Sequence, residues 1–362
     1  MGTQKTHVKK PTQGKLREFW NRHRLFRWLV RILVGILLIA GIILLWFRIS
    51  PWPGAMIVRW EFIQNGVKTT DALKKHALAS GVTTISNQQY RPDDADAMLD
   101  VYIPQSAITE AKKLPVVVWT HGGAWLAGDK ANAAPYYQQL ANAGFIVVAP
   151  DYSLAPDYIY PRPIHQLNAV HQYIIQNADR FYVDINKFVL AGDSAGSQLS
   201  AEMAALVTNP DYAQEVGIEL ALQPQQLKGA VLNCGIYKME ELARPGPDLS
   251  KVLIWGDDVT VWAYSGTNDF SRPVIRQMSP YYHVTKDFPP TFITGGNGDP
   301  LTDVQSVPLA NELQSYGVDV TRLFYDPNHS PSLPHEYQFN LDTADGQNAL
   351  VQIIDFIRAR TK

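Results

Sequence analysis

Cysteine is almost absent from this 362-residue chain: Cys234 is its single cysteine, so no disulfide can form within the chain. The sequence also lacks the H-E-x-x-H and Cys/His spacings of zinc sites and the G-x-x-x-x-G-K-[ST] phosphate loop. It contains no internal repeat and no low-complexity tract. We therefore predict a globular protein that uses no metal and no cofactor. Cys234 ends the apolar run LKGAVLNC and is expected to be a buried thiol.

Net charge is also small, at −2, but the two signs are unevenly distributed. Residues 1–31 carry nine Lys and Arg against one acidic residue, Glu18, so the rest of the chain is acidic overall. A basic segment of this kind can bind nucleic acid or lie beside a membrane. The apolar run that follows it favours the membrane, and we predict no nucleic-acid partner.

That apolar run, residues 32–47, contains 16 residues without a charge. Extended back to Leu29 it has 19 residues, or about 28 Å of helix. The hydrocarbon core of a bilayer is about 30 Å thick. Trp28 and Trp46 lie near the two ends of the run, where interfacial aromatic residues are found. The pattern therefore predicts a membrane-spanning helix.

We predict a basic cytoplasmic tail at residues 1–28, a transmembrane anchor at residues 29–48 and a folded domain at residues 49–362. Positive charge before the helix keeps that end in the cytoplasm, which places the domain on the extracytoplasmic side of the cell membrane. A buried core helix and a cleaved signal peptide are the alternatives. Arg48 directly after the run, and the lack of an A-x-A cleavage site, favour an uncleaved single-pass anchor.

Beyond residue 80, apolar segments of strand length alternate with segments of helical spacing. Leu114–Thr120 and Phe145–Ala149 are continuous apolar runs, as in strands buried on both faces of a sheet. The alternation predicts an α/β fold with a doubly wound, mostly parallel sheet. Residues 235–289, rich in Trp, Tyr, Pro and Asp, predict an insertion above the sheet. The other predicted strands are Val82–Gln88, Ala97–Ile103, Phe188–Ala191, Leu227–Asn233, Pro290–Thr294 and Val318–Phe324.

The segment GDSAG, residues 192–196, lies between a predicted strand and a predicted helix and matches the G-x-S-x-G pattern of a nucleophilic serine. So tight a turn forces Ser194 into a strained backbone conformation and requires small residues two positions before and after it. The turn holds the Ser194 hydroxyl above the carboxyl ends of the strands. It also directs the Ala195 N–H, at the positive end of the helix dipole, toward the reacting centre.

The segment THGGAW, residues 120–125, directly follows a buried strand. Acyl transfer requires two or three N–H donors that converge on the oxyanion of a tetrahedral intermediate. Consecutive glycines allow the backbone to approach closely and turn its amides inward. We predict an oxyanion hole formed by the N–H groups of Gly122, Gly123 and Ala195. Trp125 is predicted to line a confined, apolar acyl pocket.

A nucleophilic serine also needs a base and an acid that orients the base, in the chain order Ser, Asp or Glu, His. Asp299 is the first acidic residue after the strand PTFIT, and Asp303 is the alternate acid. After the last strand, His335 and His329 compete as the base. We predict Ser194, Asp299 and His335 as a catalytic triad, because the long loop before His335 allows it to cross the sheet.

The motifs HGGAW, PDYSLAP, GDSAG and GDPLTD, in this order, resemble the hormone-sensitive-lipase-like branch of the α/β-hydrolase family. This branch contains microbial carboxylesterases and acetyl esterases, and the resemblance covers the chain from about Ala97 to the C-terminus. It implies the same triad and oxyanion donors, and a supporting role for the acidic residue before the nucleophile, Asp193. It also implies a structural role for Asp151 and Tyr152 beside the HGG loop.

The resemblance further implies a cap over the acyl pocket, which residues 56–80 and 235–289 would supply. Where the branch commonly has Gly-Phe after its histidine, this chain has Glu336-Tyr337. The membrane anchor is not part of the branch's pattern.

The predicted function is that of a membrane-anchored serine carboxylesterase that hydrolyses short-chain esters, from acetyl to about hexanoyl, through an acyl-enzyme. A lipid ester and an acetylated wall polysaccharide are both compatible substrates. A serine peptidase of similar fold is the alternative, although such peptidases usually continue Gly-Gly where this chain has Gly196-Ser197. A non-catalytic binding module is a third hypothesis. The sequence makes no prediction of the oligomeric state.

Overall fold

A computed structural model describes residues 13–242 and 250–362. The first part of the predicted tail, residues 1–12, and part of the predicted insertion, residues 243–249, lie outside the described residues. The chain divides into two compact units, Met1–Pro53 and Gly54–Lys362.

The first unit is built on one helix, α1 (Gln13–Ile49). Its segment Arg22–Ile49 has 28 residues with a hydropathy of 2.7, and its apolar side chains are exposed. This segment is long and apolar enough to cross a bilayer, as a membrane anchor or as a signal sequence does.

The second unit contains an eight-stranded sheet in the order β1-β2-β4-β3-β5-β6-β7-β8. The pairs β1–β2 and β2–β4 are antiparallel and the remaining pairs are parallel, so the predicted doubly wound, mostly parallel sheet is confirmed. The strands are β1 (Val82–Gln89), β2 (Met98–Pro104), β3 (Leu114–Thr120), β4 (Ile146–Pro150), β5 (Val183–Asp193), β6 (Leu227–Asn233), β7 (Thr291–Gly295) and β8 (Val320–Phe324).

Helices cover both faces of the sheet, since strands buried on both sides need apolar partners on both. The helices are α2 (Trp52–Leu73), α3 (Gln105–Thr109), α4 (Ala134–Asn142), α5 (Arg162–Gln176), α6 (Ser194–Thr208), α7 (Pro210–Val216), α8 (Met239–Leu242), α9 (Lys251–Ser265), α10 (Pro273–Gln277), α11 (Val307–Ser315) and α12 (Ala344–Arg360). The segment predicted as an insertion contains α8, α9 and α10.

The core has two main layers because side chains on a strand alternate between the faces of the sheet. In β3, Val116 and Val118 belong to one cluster, whereas Val117 and Trp119 belong to the other. Each of these side chains is buried. The continuous apolar run of the sequence is therefore explained by burial on both sides of a central strand.

The carboxyl ends of the parallel strands carry the residues singled out in the sequence. Ser194 begins α6 directly after β5, Asp299 follows β7, and His335 follows β8. Parallel strands end at the same edge of the sheet, so three residues distant in sequence reach one place.

Candidate active site

The turn at Ser194 is strained in the way that the sequence predicts. Strand β5 ends at Asp193, α6 begins at Ser194, and Ser194 has a φ of +50°. A Cβ on Gly192 would lie 2.4 Å from the Gly196 carbonyl oxygen, and one on Gly196 would lie 2.0 Å from that of Thr120. Side chains at either glycine would separate the strand from the helix, so the small residues are required by packing.

The structure brings Ser194, His335 and Asp299 together. The Ser194 Oγ lies 2.9 Å from His335 Nε2, and His335 Nδ1 lies 2.9 Å from the Asp299 carboxylate. Asp299 is buried and accepts only, so His335 Nδ1 carries the proton and Nε2 accepts from the Ser194 hydroxyl. The carboxylate of Asp299 raises the pKa of His335 against the opposing effect of burial.

The two alternates lie elsewhere. His329 Nε2 is 3.1 Å from the carboxylate of Asp345 on α12. Asp303 is exposed, in a π-helical turn over Thr302–Ser306 that leads into α11. The preference for His335 and Asp299 in the sequence therefore agrees with their positions.

Backbone contacts hold the loop of the acid against the loop of the base. The Gly298 N–H donates to the Leu333 carbonyl over 2.9 Å, and the Leu333 N–H donates to the Asn297 side chain, also over 2.9 Å. A Cβ on Gly296 would lie 2.2 Å from the same Leu333 carbonyl. The glycines of GGNGDP thus permit the close approach that aligns Asp299 with His335.

Ala195 and Gly123 remain the predicted oxyanion donors, and Gly122 does not. Ala195 N–H lies in the first turn of α6, where helix amides have no intrahelical acceptor and Asp193 supplies no side-chain cap. Gly123 has a φ of +108°, a conformation that its lack of a side chain allows. Gly122 requires a correction: its N–H donates to the Asp193 carboxylate over 2.7 Å, so it is not free to bind an oxyanion.

Asp193 has the supporting position that the resemblance implies. Besides Gly122, its carboxylate accepts from the Trp119 indole N–H over 2.7 Å. One buried side chain therefore ties the turn of the nucleophile to β3 and to the HGG loop. Tyr152 also supports that loop: its ring stacks on His121 at 4.4 Å between centroids, and its hydroxyl donates to the His121 carbonyl. Asp151 lies beside the same residue, with its carboxylate 4.0 Å from His121 Nε2.

Trp125 is fully buried rather than exposed to a pocket. Its ring stacks on Tyr264 of α9, with 4.9 Å between centroids and 2° between planes, and its N–H donates to the Gln198 side chain. These contacts fix α9 against the oxyanion loop. The structure thus gives Trp125 a packing role against α9, and its contact with substrate stays a prediction.

Cys234 is buried, as its apolar context predicts, but its neighbours were not predicted. One donor atom each of Cys234, Asp299 and His335 lie within 4.8 Å of one another. Such a set has the chemistry to hold a metal ion, although the Asp299 and His335 atoms already share a hydrogen bond. Burial raises the pKa of the Cys234 thiol, which favours its neutral form beside the histidine.

Glu336 is the second residue that sequence reasoning missed. It adopts a left-handed conformation with a φ of +59°, and its carboxyl oxygen lies 3.9 Å from His335 Nε2. Partial burial, together with the charge of Asp193, raises the pKa of Glu336 to about 7. Glu336 donates this proton to Asp193, whose pKa burial also raises. The departure from the usual Gly-Phe was the available signal, but it did not reveal this partner.

Known proteins resemble the chain in sequence and in fold. An esterase of Gibberella moniliformis is 26% identical over 257 residues, which are 69% of this chain and 76% of that protein. Carboxylesterase NlhH of Mycobacterium tuberculosis is 30% identical over 227 residues, covering 62% of this chain and 66% of that protein. Esterase B from Lactobacillus rhamnosis has a TM-score of 0.72 at 19% identity, over 85% of this chain and 96% of that one.

The sheet order and the serine on the turn after β5 define an α/β-hydrolase fold, and the esterase relatives make the chain a carboxylic ester hydrolase. The chain belongs to the BD-FAE family, whose profile matches residues 99–313.

Proposed function

We propose that the protein is a membrane-anchored serine carboxylesterase that cleaves short-chain esters through an acyl-enzyme. The observation that carries this proposal is the continuous relay from Ser194 through His335 to Asp299, with both hydrogen bonds at 2.9 Å. A nucleophile and base within this distance, with the base oriented by a carboxylate, is the arrangement that acyl transfer requires.

In the first half-reaction, Ser194 Oγ attacks the ester carbonyl carbon and its proton passes to His335 Nε2. The imidazolium, stabilised by Asp299, then protonates the leaving alcohol as the C–O bond to that alcohol breaks. In the second half-reaction, a water molecule gives a proton to His335 and attacks the acyl carbon. The proton returns to Ser194 as the acid leaves, so the enzyme is regenerated.

The negative oxygen of each tetrahedral intermediate is proposed to accept from the N–H groups of Gly123 and Ala195. Loss of one such donor typically costs about 3–4 kcal/mol of transition-state stabilisation, or about 10²- to 10³-fold in rate. Gly122 contributes indirectly, because its bond to Asp193 fixes the backbone that carries the next amide.

One relative of the chain, with 28% identity, is a versiconal hemiacetal acetate esterase, and its name describes a small acyl group on a large alcohol. We therefore expect turnover to fall as the acyl chain lengthens from acetyl to beyond about hexanoyl. The small-molecule ester is the proposed partner of the site.

We further propose that α1 is an uncleaved anchor with the catalytic unit outside the cytoplasm. The apolar segment Arg22–Ile49 supports the anchor, and the basic residues before it support this orientation. Protease added to intact cells should then digest the catalytic unit and leave the basic tail protected. Digestion of the tail instead would contradict the orientation.

A fluorophosphonate probe tests the nucleophile directly. The probe should label the native chain, and Ser194→Ala should abolish labelling, whereas Ser315→Ala, which changes an exposed serine on α11, should not. A series of p-nitrophenyl esters then measures the acyl preference. Labelling with turnover of peptides but not of esters would favour a peptidase, and absence of labelling would contradict the proposed chemistry.

A further inference from the structure

One face of α2 exposes a stripe of large apolar side chains. Met56, Trp60, Ile63 and Val67 are between 44% and 61% exposed. Their spacings of four, three and four residues place them on one side of a helix. Isolated exposed apolar residues are ordinary, but a stripe that follows the helical repeat for three turns is a surface.

The other side of α2 is fixed to the catalytic unit. The Arg59 guanidinium donates to the carbonyls of Leu126 and Ala155 over 2.8 and 2.6 Å. It also forms a 2.8 Å ion pair with Asp157. Ala55 is fully buried on the same side. These contacts fix α2 along one side, and the exposed stripe follows a neighbouring flank of the helix, where Ile63 and Val67 border a cavity with Gly128, Asp129 and Asn132.

Helix α9 packs against the flank of α2 opposite the stripe, at positions 54 and 58 of the helical repeat. A Cβ on Gly54 would lie 3.0 Å from the Val259 side chain and 3.1 Å from the Trp255 ring, so α2 and α9 are in close contact there. Val252, Leu253 and Trp255 of α9 are 36% to 73% exposed. The opposite side of α9 reaches the oxyanion loop through the Tyr264–Trp125 stack. Helix α9 therefore connects the far flank of α2 to the oxyanion loop.

We propose that the stripe on α2 lies on a lipid bilayer, and that the esterase takes its substrate from that bilayer as a short-chain ester of a hydrophobic alcohol. The residues of this bilayer face are Met56, Trp60, Ile63 and Val67.

The chain itself argues for a bilayer as the occupant. Helix α1 ends at Ile49 and α2 begins at Trp52. Three residue steps span at most about 10 Å. If α1 crosses the membrane, the start of α2 lies at the membrane surface. Trp and aliphatic side chains on one face of a helix are the composition that enters the interface between headgroups and acyl chains. The inference thus rests on the proposed anchor and on the proposed esterase activity.

Spin labels test the contact in the full chain reconstituted in phosphatidylcholine vesicles. A nitroxide on Ile63→Cys should collide with oxygen, which concentrates in lipid, more than with a water-soluble nickel chelate. A nitroxide on Glu61→Cys, an exposed position on the polar flank of the same helix, should show the reverse. Cys234 is buried, so the unchanged chain supplies the background. Nickel accessibility at both positions, or spin–spin broadening at position 63 that marks a second copy, would overturn the proposal.

Rates of hydrolysis of two acetate esters, one in the bilayer and one in water, test whether the substrate is taken from the bilayer. The double variant Trp60→Gln/Ile63→Gln should hydrolyse hexadecyl acetate in vesicles at least tenfold more slowly than the native chain. It should hydrolyse water-soluble p-nitrophenyl acetate at a rate within twofold, because both side chains are exposed on the surface of the unit. Trp60→Phe, which keeps an apolar ring, should retain the vesicle activity, and Glu61→Gln should change neither rate.

The outcomes separate the two levels of the proposal. If the native chain hydrolyses neither acetate, the proposed function fails. If it hydrolyses both and the double variant loses neither, the bilayer face is refuted while the esterase stands. Equal loss of both rates in the double variant, with a lowered melting temperature, would also count against the bilayer face, because the two side chains would then be structural.

Discussion

Replacing Glu336 by glutamine should make the protein less sensitive to pH. The Glu336 carboxyl lies beside the carboxylate of Asp193 and 3.9 Å from His335 Nε2. Glutamine keeps an N–H that can donate to Asp193 but has no proton to lose. The variant therefore resembles the protonated form of the native side chain at every pH. Asp299 is the further charged group that acts on Glu336.

The size of the effect follows from the pKa. Folding raises the pKa of Glu336 from 4.5 to about 7. Between those values the folded state binds more protons than the unfolded state, so the free energy of unfolding falls as pH rises. Each pH unit contributes about 1.4 kcal/mol, or about 3 kcal/mol across the whole interval. The side chain is 28% exposed, so solvent screening makes this an upper value.

Thermal unfolding of both proteins in detergent micelles at pH 4.5 and pH 8, followed by near-ultraviolet circular dichroism, measures the difference. From pH 4.5 to pH 8, the free energy of unfolding of Glu336→Gln should rise relative to that of the native chain by up to about 3 kcal/mol. This corresponds to about 6 °C in melting temperature. Glu202 and Asp257, whose pKa burial raises to about 7, titrate in both proteins and cancel. Glu219→Gln, an exposed control, should show no such gain. A constant difference between variant and native chain at both pH values would refute the shared proton.

Three further substitutions probe the site. Asp299→Asn should lower kcat by about 10⁴-fold with little change in KM, because the amide no longer selects the His335 tautomer; a loss below tenfold in stopped-flow acylation would rule out Asp299 as the acid. Gly196→Ala should prevent folding or abolish turnover, because the new Cβ would lie 2.0 Å from the Thr120 carbonyl, and a native melting curve with full activity would disprove the tight turn. N-ethylmaleimide should inactivate the enzyme slowly, because Cys234 is buried beside His335, and Cys234→Ala should resist it while active; equal inactivation of both proteins would place the reactive group elsewhere.

Strands were predicted well from sequence because their signal is local. Leu114–Thr120 and Leu227–Asn233 have the predicted bounds, since each contains an apolar run that ends at a polar residue. Strand β5 begins at Val183 rather than at Phe188, because its first residues are partly polar. The positions of Ser194, Asp299 and His335 could be predicted for a related reason. Each follows a strand, and the carboxyl ends of parallel strands lie at the same edge of the sheet.

Side-chain partners distant in sequence were not readable. The hydrogen bond from the Gly122 N–H depends on the orientation of the Asp193 carboxylate, which is 71 residues away in sequence. The pairing of His329 with Asp345 depends on where α12 begins to pack against the sheet. Glu336 depends on a left-handed backbone conformation, for which its sequence has no signal because glutamate rarely adopts it. In each case tertiary packing, and not a local pattern, selects the partner.

The hydrogen bonds between the loop of Asp299 and the loop of His335 hold two members of the triad together more firmly than the third. Asp299 and His335 lie on segments that are hydrogen-bonded to each other through Gly298 and Leu333, whereas Ser194 lies on a separate turn between β5 and α6. A displacement of these two segments would move Asp299 and His335 together and preserve the hydrogen bond between them. Such a displacement would instead change the distance between the imidazole and the Ser194 hydroxyl, which is where the proton must cross.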